Sequence, residues 1–585
     1  MIRLARRAAL FFVLALVPLA ATRAEGVLDH VPPDAMGFAT VRNLAGTDAK
    51  IQRVLKIFEG LPDMKLPAPL AFIKTATGLG EGLNEDGDAL IALLPGDADP
   101  LSPKPMLLVP VSDYAKFAGS IGGDASGEIC RVTIVGEEVL VAKRGEYALL
   151  MNVEHRPRME SILASGAPSA PPIPALNTWL GKNDFAVVLL PAGVDALKSL
   201  AQAEMASQRT QLENEFSDPQ FAQQAAELKR GIELFDSVLE FCDTEIKAGA
   251  QGFAIDEAAN IRVSHRLVFK ESGQIAKLEG VSKPARSPLT GYPAGPFVFA
   301  GGGPLPAAWS AMLAKMNRAM IEKYPEQYGF QNFGDEKWDK IEESWLASTA
   351  GLRSMSVAML PGGKDDALVS NAFYILEVDD ADAYLASIKK SMELWNELTA
   401  ESISDIKMAY EFVDVEIGGK KGLQMAVDVA AAAADDNVPM MRAMFESMFG
   451  GDGKMRIYTV AADAKTVVMG IAKEEQVAEA IKHATGGEAG LVQMADVKTT
   501  VGQLDPAAPW NGYVSPQGVV MWGKRVFMAL MGTVGAPAIT IPDYPAGPPV
   551  GFAVNLKDGQ FQSEMVVPAQ ALKDLAAYIK ICIAL

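Results

Sequence analysis

Short apolar runs alternate with longer stretches of helical periodicity along most of the chain. Runs of five to eight apolar or alternating residues predict β-strands, because successive side chains of a strand point to opposite faces. These runs are GFATV, ALIALL, MLLVPV, RVTIV, VLVAK, FAVVLL, PFVFA, MSVAML, FYILEV, RIYTV and TVVMGI. Helical patterns occur at 194–213, 218–241, 305–323 and 334–350. Strands joined by short turns predict mostly antiparallel sheets with helices packed on one face, which is an α+β fold.

The same sequence features recur in the same order in the two halves of the chain. The matched pairs are LPG at 94–96 and 360–362, VSDYAKFAGSI at 111–121 with VDDADAYLASI at 378–388, MNVEHRPRMESIL at 151–163 with MGIAKEEQVAEAI at 469–481, and GFAIDEAANIRVSHRLVF at 252–269 with GFAVNLKDGQFQSEMVVP at 551–568. Repeats of this kind determine the architecture of a chain. We therefore predict two tandem α+β pseudo-repeats, at 25–285 and 290–585.

The stretch GLGEGLNEDGD (78–88) contains glycines and acidic residues that two kinds of ligand-binding loop also use. A dinucleotide-binding loop has the spacing G-x-G-x-x-G and leads from a strand into a helix, whereas these glycines follow a helical pattern and precede a strand. A calcium loop aligned on Gly87 would have Gly82 as its first ligand and Leu93 in place of a bidentate Glu. The stretch is therefore interpreted as a helix end at Gly78 followed by a turn.

Residues 1–24 have the composition of an export signal. The basic residues Arg3, Arg6 and Arg7 precede an apolar stretch at 8–20, and small residues follow it. This stretch is shorter than the about 20 residues that a transmembrane helix needs. We predict a cleaved signal peptide, export to the periplasm or the extracellular space, and no transmembrane anchor after cleavage.

The chain is acidic, with 72 Asp and Glu against 53 Lys and Arg and a net charge of −19. Removal of the predicted signal, which contains four arginines and no acidic residue, changes the net charge to −23. Such a surface repels the phosphates of nucleic acids and of anionic lipid headgroups. We therefore expect no nucleic-acid partner.

Residues able to catalyse a reaction are sparse, and no known motif joins them. The sequence contains no H-E-x-x-H, no C-x-x-C and no G-x-S-x-G. The four histidines are His30, His155, His265 and His483, and the three cysteines are Cys130, Cys242 and Cys582. No pair has the spacing of metal ligands, and three cysteines allow at most one disulfide. The sequence predicts a protein that is not an enzyme and has no cofactor and no metal.

Methionine is concentrated in the second half, where 19 of the 26 methionines follow residue 290. Two sets are spaced i, i+4, i+8 and would form stripes on helices, Met312, Met316 and Met320, and Met440, Met444 and Met448. Three interpretations are open for these stripes. Methionine packs irregular cores, forms adaptable apolar binding surfaces, and coordinates Cu(I) through its thioether.

The second methionine stripe is the better functional candidate, because it borders a low-complexity Ala/Asp-rich run. We place an insertion near 429–453 in the second repeat. The candidate contacts for a hydrophobic ligand or a protein partner are Met440, Met444, Phe445 and Met448.

A cluster of aromatic residues occurs in YPEQYGFQNFGDEKWDKIEESW (324–345). Such residues stack on sugars or anchor a protein partner, and they also hold two helices of a hairpin together. Both interpretations are open, and the second is the commoner use.

The segment VPPDAMGFATVRNL (31–44) and the following ALIALLPG and LLVPVSDYAKFAGSI form a pattern of strands and helices. It resembles a broad group of uncharacterised bacterial exported proteins of the domain-of-unknown-function type, in which P-x-D-x-x-x-F-x-x-V precedes such units. Pro33, Asp34, Phe38 and Val41 carry the likeness, with Pro33 and Asp34 adjacent here. The resemblance covers most of the chain and implies no activity.

Together these features predict an exported binding or interaction protein. Its ligand would be a hydrophobic molecule or a protein of the cell envelope, bound by an adaptable apolar surface. A purely architectural envelope protein is the second hypothesis, and a hydrolase with a site assembled from distant residues is the third.

Overall fold

The structure is a computed structural model. It describes residues 26–61, 67–96, 103–165, 173–215, 232, 235–236, 238–278, 286–323, 334–363, 366–400, 410–428, 448, 454–486, 490–533 and 540–584. The predicted signal at 1–24 and most of the predicted insertion at 429–453 lie outside these residues.

Antiparallel strands and helices make up the described chain, which confirms the α+β class. The strands are β1 (Gly37–Val41), β2 (Ala89–Leu94), β3 (Lys104–Pro110), β4 (Ile129–Ile134), β5 (Glu137–Arg144), β6 (Tyr147–Asn152), β7 (Phe185–Leu189), β8 (Ile246–Ile255), β9 (Ile261–Phe269), β10 (Phe299–Pro304), β11 (Leu352–Met359), β12 (Ala372–Val378), β13 (Tyr410–Ile417), β14 (Lys420–Asp428), β15 (Lys454–Ala461), β16 (Thr466–Ile471), β17 (Trp510–Val514), β18 (Val550–Lys557) and β19 (Gln560–Val567). The helices are α1 (Leu44–Ile57), α2 (Pro69–Thr77), α3 (Tyr114–Ser120), α4 (Arg156–Ala164), α5 (Asn177–Leu180), α6 (Pro191–Glu215), α7 (Ala307–Lys323), α8 (Asp335–Thr349), α9 (Ala381–Ala400), α10 (Glu474–Gly486), α11 (Ala495–Val501), α12 (Pro516–Thr533) and α13 (Ala569–Ala584).

Each predicted strand overlaps an observed one, and the helices predicted at 194–213, 305–323 and 334–350 are observed as α6, α7 and α8. The predicted helix end at Gly78 is confirmed, since this residue follows α2 with a φ of 74°. A positive φ is one that glycine adopts without strain. Most of the helix predicted at 218–241 lies outside the described residues.

The chain forms two compact units. The first comprises Met1–Gln52, Leu66–Ser207 and Lys247–Ala254, and the second comprises Arg53–Lys65, Gln208–Ile246 and Ile255–Leu585. The predicted division into repeats at 25–285 and 290–585 differs from these units and stays a prediction.

In the first unit the strands form an antiparallel sheet in the order β8-β7-β1-β2-β3-β6-β5-β4. One face is covered by α3, whose Phe117 is completely buried against Val109, Val141 and Leu150. Because successive residues of a strand alternate between faces, Leu108 and Leu149 point to the opposite side, where they are also fully buried.

In the second unit the order is β9-β19-β18-β17-β10-β11-β12-β16-β15-β14-β13, and every neighbouring pair is antiparallel. Here apolar side chains are buried on both faces of the sheet. On β12, Ile375 packs with the cluster that contains α10, and Leu376 packs with the cluster that contains the start of α9. The sequence prediction had helices on one face. The continuous apolar run of β12 is instead explained by burial on two sides.

A largely buried carboxylate, that of Asp366, holds the loop between β11 and β12 in the second unit. The Oδ2 atom of Asp366 accepts hydrogen bonds from the N–H of Gly363 at 2.7 Å, from Asn371 at 3.2 Å and from Gln476 at 3.2 Å. Its Oδ1 lies 2.9 Å from the Nζ atom of Lys473, and its side chain is 10% exposed. Burial alone would raise the pKa of Asp366, but the hydrogen bonds from Lys473, Gly363 and Asn371 outweigh it and lower the pKa to about 2.

We expect Asp366→Asn to lower the free energy of unfolding by about 2 kcal/mol above about pH 5. A carboxyl whose pKa is lower in the folded state stabilises the fold above its unfolded pKa, near 3.8 here. This contribution is lost as the pH falls from there towards 2, so the two proteins should converge in acid. Urea titrations of both proteins between pH 7 and pH 2 measure the difference.

The control for this prediction is Asp543→Asn, which removes a 90% exposed carboxylate located 2.7 Å from Lys524. An exposed pair of this kind contributes less than about 1 kcal/mol. A stability difference between the wild type and Asp366→Asn that stayed constant down to pH 2 would contradict the assignment to the carboxylate.

Candidate functional site

Of the four predicted contact residues of the methionine-rich surface, the structure describes Met448. Met440, Met444 and Phe445 lie outside the described residues, as do the side chains of Met316 and Met320. Met448 is half-buried, and its carbonyl oxygen accepts a hydrogen bond from the N–H of Val369 at 3.1 Å. That contact uses the backbone and assigns no role to the thioether. The proposed contact surface at these residues stays a prediction.

The second unit contains an apolar cavity of about 250 Å³ between two helices and a hairpin. Helices α8 and α9 form one side, and strands β13 and β14 form the other. The lining residues are Ile341, Ser344, Trp345, Ser391, Met392, Leu394, Phe412 and Met425. No side chain in this lining carries a charge.

The hairpin β13–β14 supplies the floor of the cavity. Phe412 and Met425 are directly opposite each other in the antiparallel register, so both side chains lie on the same face. Asp414, two residues after Phe412, lies on that face as well, and its Oδ2 atom is 2.9 Å from the Nζ atom of Lys389 on α9. The ion pair holds α9 against the hairpin. Because Asp414 shares a face of the hairpin with Phe412 and Met425, α9 also lies over the ring of Phe412 and the thioether of Met425.

The helices supply the walls. Ile341 and Trp345 are four residues apart on α8 and therefore share one face of the helix. The hydroxyl oxygens of Ser344 on α8 and Ser391 on α9 are 2.8 Å apart, which forms a hydrogen bond between the helices beside the cavity. Trp345 is 44% exposed, so its indole is in contact with both the cavity and the solvent.

The chemistry of this lining suits an uncharged ligand. Two methionine side chains, Met392 and Met425, adapt their shape to a bound group because they have no branching and three rotatable bonds. The two serine hydroxyls are the polar groups of the lining, and each can accept a further hydrogen bond. The lining therefore offers a ligand dispersion contacts and one uncharged hydrogen-bonding site, which the two serine hydroxyls form.

Beside this cavity, the hydrogen bond to Asp414 raises the pKa of Lys389 on α9, and the pKa values of three tyrosines of the second unit are raised as well. Burial raises the pKa of Tyr384, Tyr513 and Tyr544 to about 12, and for Tyr544 the nearby Asp574 adds to the effect. Tyr384 is on α9, Tyr513 is on β17, and Tyr544 lies in the segment that precedes β18. Within the described ranges, no three His, Cys, Asp or Glu side chains are grouped as metal ligands would be.

The candidate histidines and cysteines of the sequence lie apart in the structure. His30 is buried, and its Nδ1 atom accepts a hydrogen bond from Arg144 at 3.2 Å, whereas His265 is exposed on β9. Cys130 is buried, Cys242 is half-buried and Cys582 is exposed, and all three are free thiols. The structure brings none of these residues to the cavity.

Of the aromatic cluster at 324–345, the structure describes two members. Trp338 is buried at 4% exposure within α8, in agreement with a packing role, and Trp345 lines the cavity. Residues 324–333 lie outside the described residues.

The sequence patterns did not identify Met392, Phe412 and Met425 as residues of a site. The alternation in KKGLQMAVD could have placed Met425 on one face of a strand.

Comparison of the chain with protein-family models, with curated proteins and with solved structures returns no match. In the part of the chain that the structure describes, no helix combines the length and the apolar character needed to cross a membrane.

Proposed function

We propose that this chain is an exported binding protein that holds a small apolar ligand in the cavity between α8, α9 and the β13–β14 hairpin. The observation that carries the proposal is an open cavity of about 250 Å³ whose lining is uncharged and includes two methionines, a phenylalanine and a tryptophan. Apolar cavities with a few polar groups are the usual form of small-molecule sites.

The ligand class follows from the lining. A volume of about 250 Å³ is just below the range of roughly 300–1,000 Å³ for drug-sized ligands, which favours a single short chain or ring. A charged head buried in this lining would have no partner of opposite charge, and burying an unpaired charge is costly. We therefore infer a neutral ligand, an alcohol or ester of an aliphatic chain, whose oxygen bonds with Ser344 or Ser391.

An exposed tryptophan at the opening favours a binding role over an architectural one. Trp345 is 44% exposed beside the apolar lining of the cavity, and a ligand that covered its indole would remove this apolar surface from water. Export is inferred from the basic and apolar residues of 1–24, and it would place the site where envelope lipids and their fragments are present.

We also infer that the segments 25–285 and 290–585 arose by duplication of one α+β unit. The inference is supported by the recurring segments of the sequence and by the strand orders. In the first unit β1 lies between β2 and β7, and in the second unit β10 lies between β11 and β17. The apolar cavity lies beside the hairpin β13–β14.

The binding test uses 1-octanol as the neutral probe and octanoate as its charged counterpart. We expect 1-octanol to quench or shift tryptophan fluorescence through Trp345 and to bind at least tenfold more tightly than octanoate at pH 8. Met425→Gln and Leu394→Gln should each weaken octanol binding by about tenfold, since a buried amide without a partner costs about 1–3 kcal/mol.

The control is Met528→Gln, which changes a 42% exposed methionine on α12 outside the cavity and should leave binding unchanged. Native mass spectrometry of the mature protein from its own host then identifies the natural ligand by its added mass. Octanol binding that survives Met425→Gln and Leu394→Gln alike would reject the cavity as the site. A clean apo mass together with no octanol binding would favour the architectural hypothesis.

A further inference from the structure

The first unit contains a second cavity, of about 230 Å³, whose lining combines apolar residues with charged ones. It lies at the end of β1, between the 3₁₀ helix Val27–His30, the turn into β2, and α5. The lining residues are Gly26, Val27, Leu28, Asp29, Thr40, Arg42, Asp88, Asn177, Leu180 and Gly181. In contrast to the cavity of the second unit, this one contains both signs of charge.

Arg42 directly follows β1 and supplies the positive charge. Its Nη1 atom donates a hydrogen bond to the carbonyl oxygen of Gly181, which fixes the guanidinium against the wall of the cavity. A guanidinium has five N–H donors, so this bond leaves others for a ligand. Among the described residues, no carboxylate forms an ion pair with Arg42.

Asp88 supplies a negative charge on the same lining. Its Oδ1 atom accepts a hydrogen bond from the N–H of Asn43 at 2.8 Å, which holds the carboxylate in place and leaves its second oxygen available. No Lys or Arg of the described ranges pairs with Asp88. Arg42 and Asp88 thus share one small cavity with a second carboxylate, Asp29, whose Oδ2 atom accepts a hydrogen bond from the N–H of Gly26.

A third group of the lining lacks a partner that its burial requires. The Oδ1 atom of Asn177 is buried and has no hydrogen-bond partner within the described part of the chain. Leaving a buried acceptor unpaired costs about 1–3 kcal/mol. Nearby Thr40 is 4% exposed, and its hydroxyl donates to the carbonyl oxygen of Ala89 at 3.0 Å. The orphaned oxygen of Asn177 is therefore suited to accept a hydrogen bond from a ligand.

We propose that this cavity binds a small zwitterion of the free α-amino acid class. The carboxylate of the ligand would pair with the free N–H groups of Arg42, and its ammonium group would donate to Asp88 and Asn177. One ligand then pairs with Arg42 and Asp88 and with the orphaned oxygen of Asn177. The volume of about 230 Å³ limits the ligand to a small molecule. This site is independent of the apolar cavity of the second unit.

The test screens the mature full-length protein against each of the twenty free L-amino acids by thermal unfolding, followed by calorimetric titration of those that raise the unfolding temperature. We expect at least one small amino acid to bind and its analogues lacking either the carboxylate or the ammonium group to bind at least tenfold more weakly. Arg42→Gln, Asp88→Asn and Asn177→Leu should each weaken the binding of that amino acid by at least tenfold.

Two substitutions of exposed residues in the same unit serve as controls, Arg131→Gln and Asp124→Asn, and they should change affinity by less than twofold. Asp88→Asn keeps an acceptor for the N–H of Asn43, so it tests the charge while the fold is retained. The proposal is overturned if no amino acid raises the unfolding temperature, or if Asp88→Asn binds the hit as the wild type does. Binding of neutral polyols with equal affinity would also overturn it.

Discussion

Gly518→Ala is expected to destabilise the second unit by about 3 kcal/mol, because the added methyl group would overlap the backbone of a neighbouring segment. Gly518 lies in the first turn of α12, next to Phe297. A Cβ atom at this position would be 1.8 Å from the carbonyl oxygen of Phe297 and 2.3 Å from its carbonyl carbon. Neither atom belongs to a side chain that could rotate away, so the helix or the segment at Phe297 has to shift. Chemical denaturation measures the loss.

The matched control for Gly518→Ala lies in the same helix. Gly523 has no neighbouring atom within 4 Å of its ideal Cβ position. Gly523→Ala should therefore stabilise the protein by about 0.5–1 kcal/mol, because alanine loses less backbone entropy than glycine on folding into a helix. Equal effects of the two substitutions would contradict the assigned contact and would point to helix propensity alone.

Phe117→Ala is expected to destabilise the first unit by about 3–5 kcal/mol, the cost of removing a buried aromatic ring and leaving a cavity. Phe117 is completely buried on α3, and it packs in the cluster that includes Val109, Val141 and Leu150. Tertiary contacts of these strands depend on the ring, so the unfolding midpoint of the first unit should fall. Denaturant titration followed by circular dichroism measures the change.

The comparison for Phe117→Ala is Phe72→Ala. Phe72 is 60% exposed on α2 in the same unit, and surface substitutions usually change stability by less than about 0.5 kcal/mol. A loss of less than about 1 kcal/mol for Phe117→Ala would show that the ring is not a central member of the core.

The two binding proposals can fail separately, because they concern different units and different ligand chemistry. Met425 belongs to the second unit and Arg42 to the first. Octanol binding that is lost in Met425→Gln but kept in Arg42→Gln supports the apolar site alone. Amino-acid binding with the reverse dependence supports the polar site alone.

Local sequence patterns predicted most strands correctly, since the residues that define a strand are adjacent in the chain. The runs GFATV and ALIALL are β1 and β2 without a shift in their bounds. At PFVFA, however, the observed strand β10 begins at Phe299 and continues through the glycines at 301–303. Glycine has a low strand propensity, which is why the pattern ended before these residues.

The glycines of β10 are explained by contacts that come from distant parts of the chain. A Cβ atom at Gly302 would lie 2.2 Å from the carbonyl oxygen of Met355, and one at Gly303 would lie 2.2 Å from the ring of Trp510. Only glycine allows these approaches without a shift of the neighbour. The two partners are tens of residues or more from β10 in sequence, so no local window could have included them.

The amino-acid sequence determined the α+β class, the positions of most strands, the acidic character and the helix end at Gly78, because each depends on neighbouring residues or on composition. The two cavities depended on the fold. The apolar site requires Trp345 on α8, Met392 on α9 and Met425 on β14 to meet, and the polar site requires Arg42 and Asn177 to face one space. Trp345 and Met425 are 80 positions apart in the sequence, and Arg42 and Asn177 are 135 positions apart. Such residues become neighbours only when the chain packs, because their proximity depends on burial of the core and not on local conformational preference.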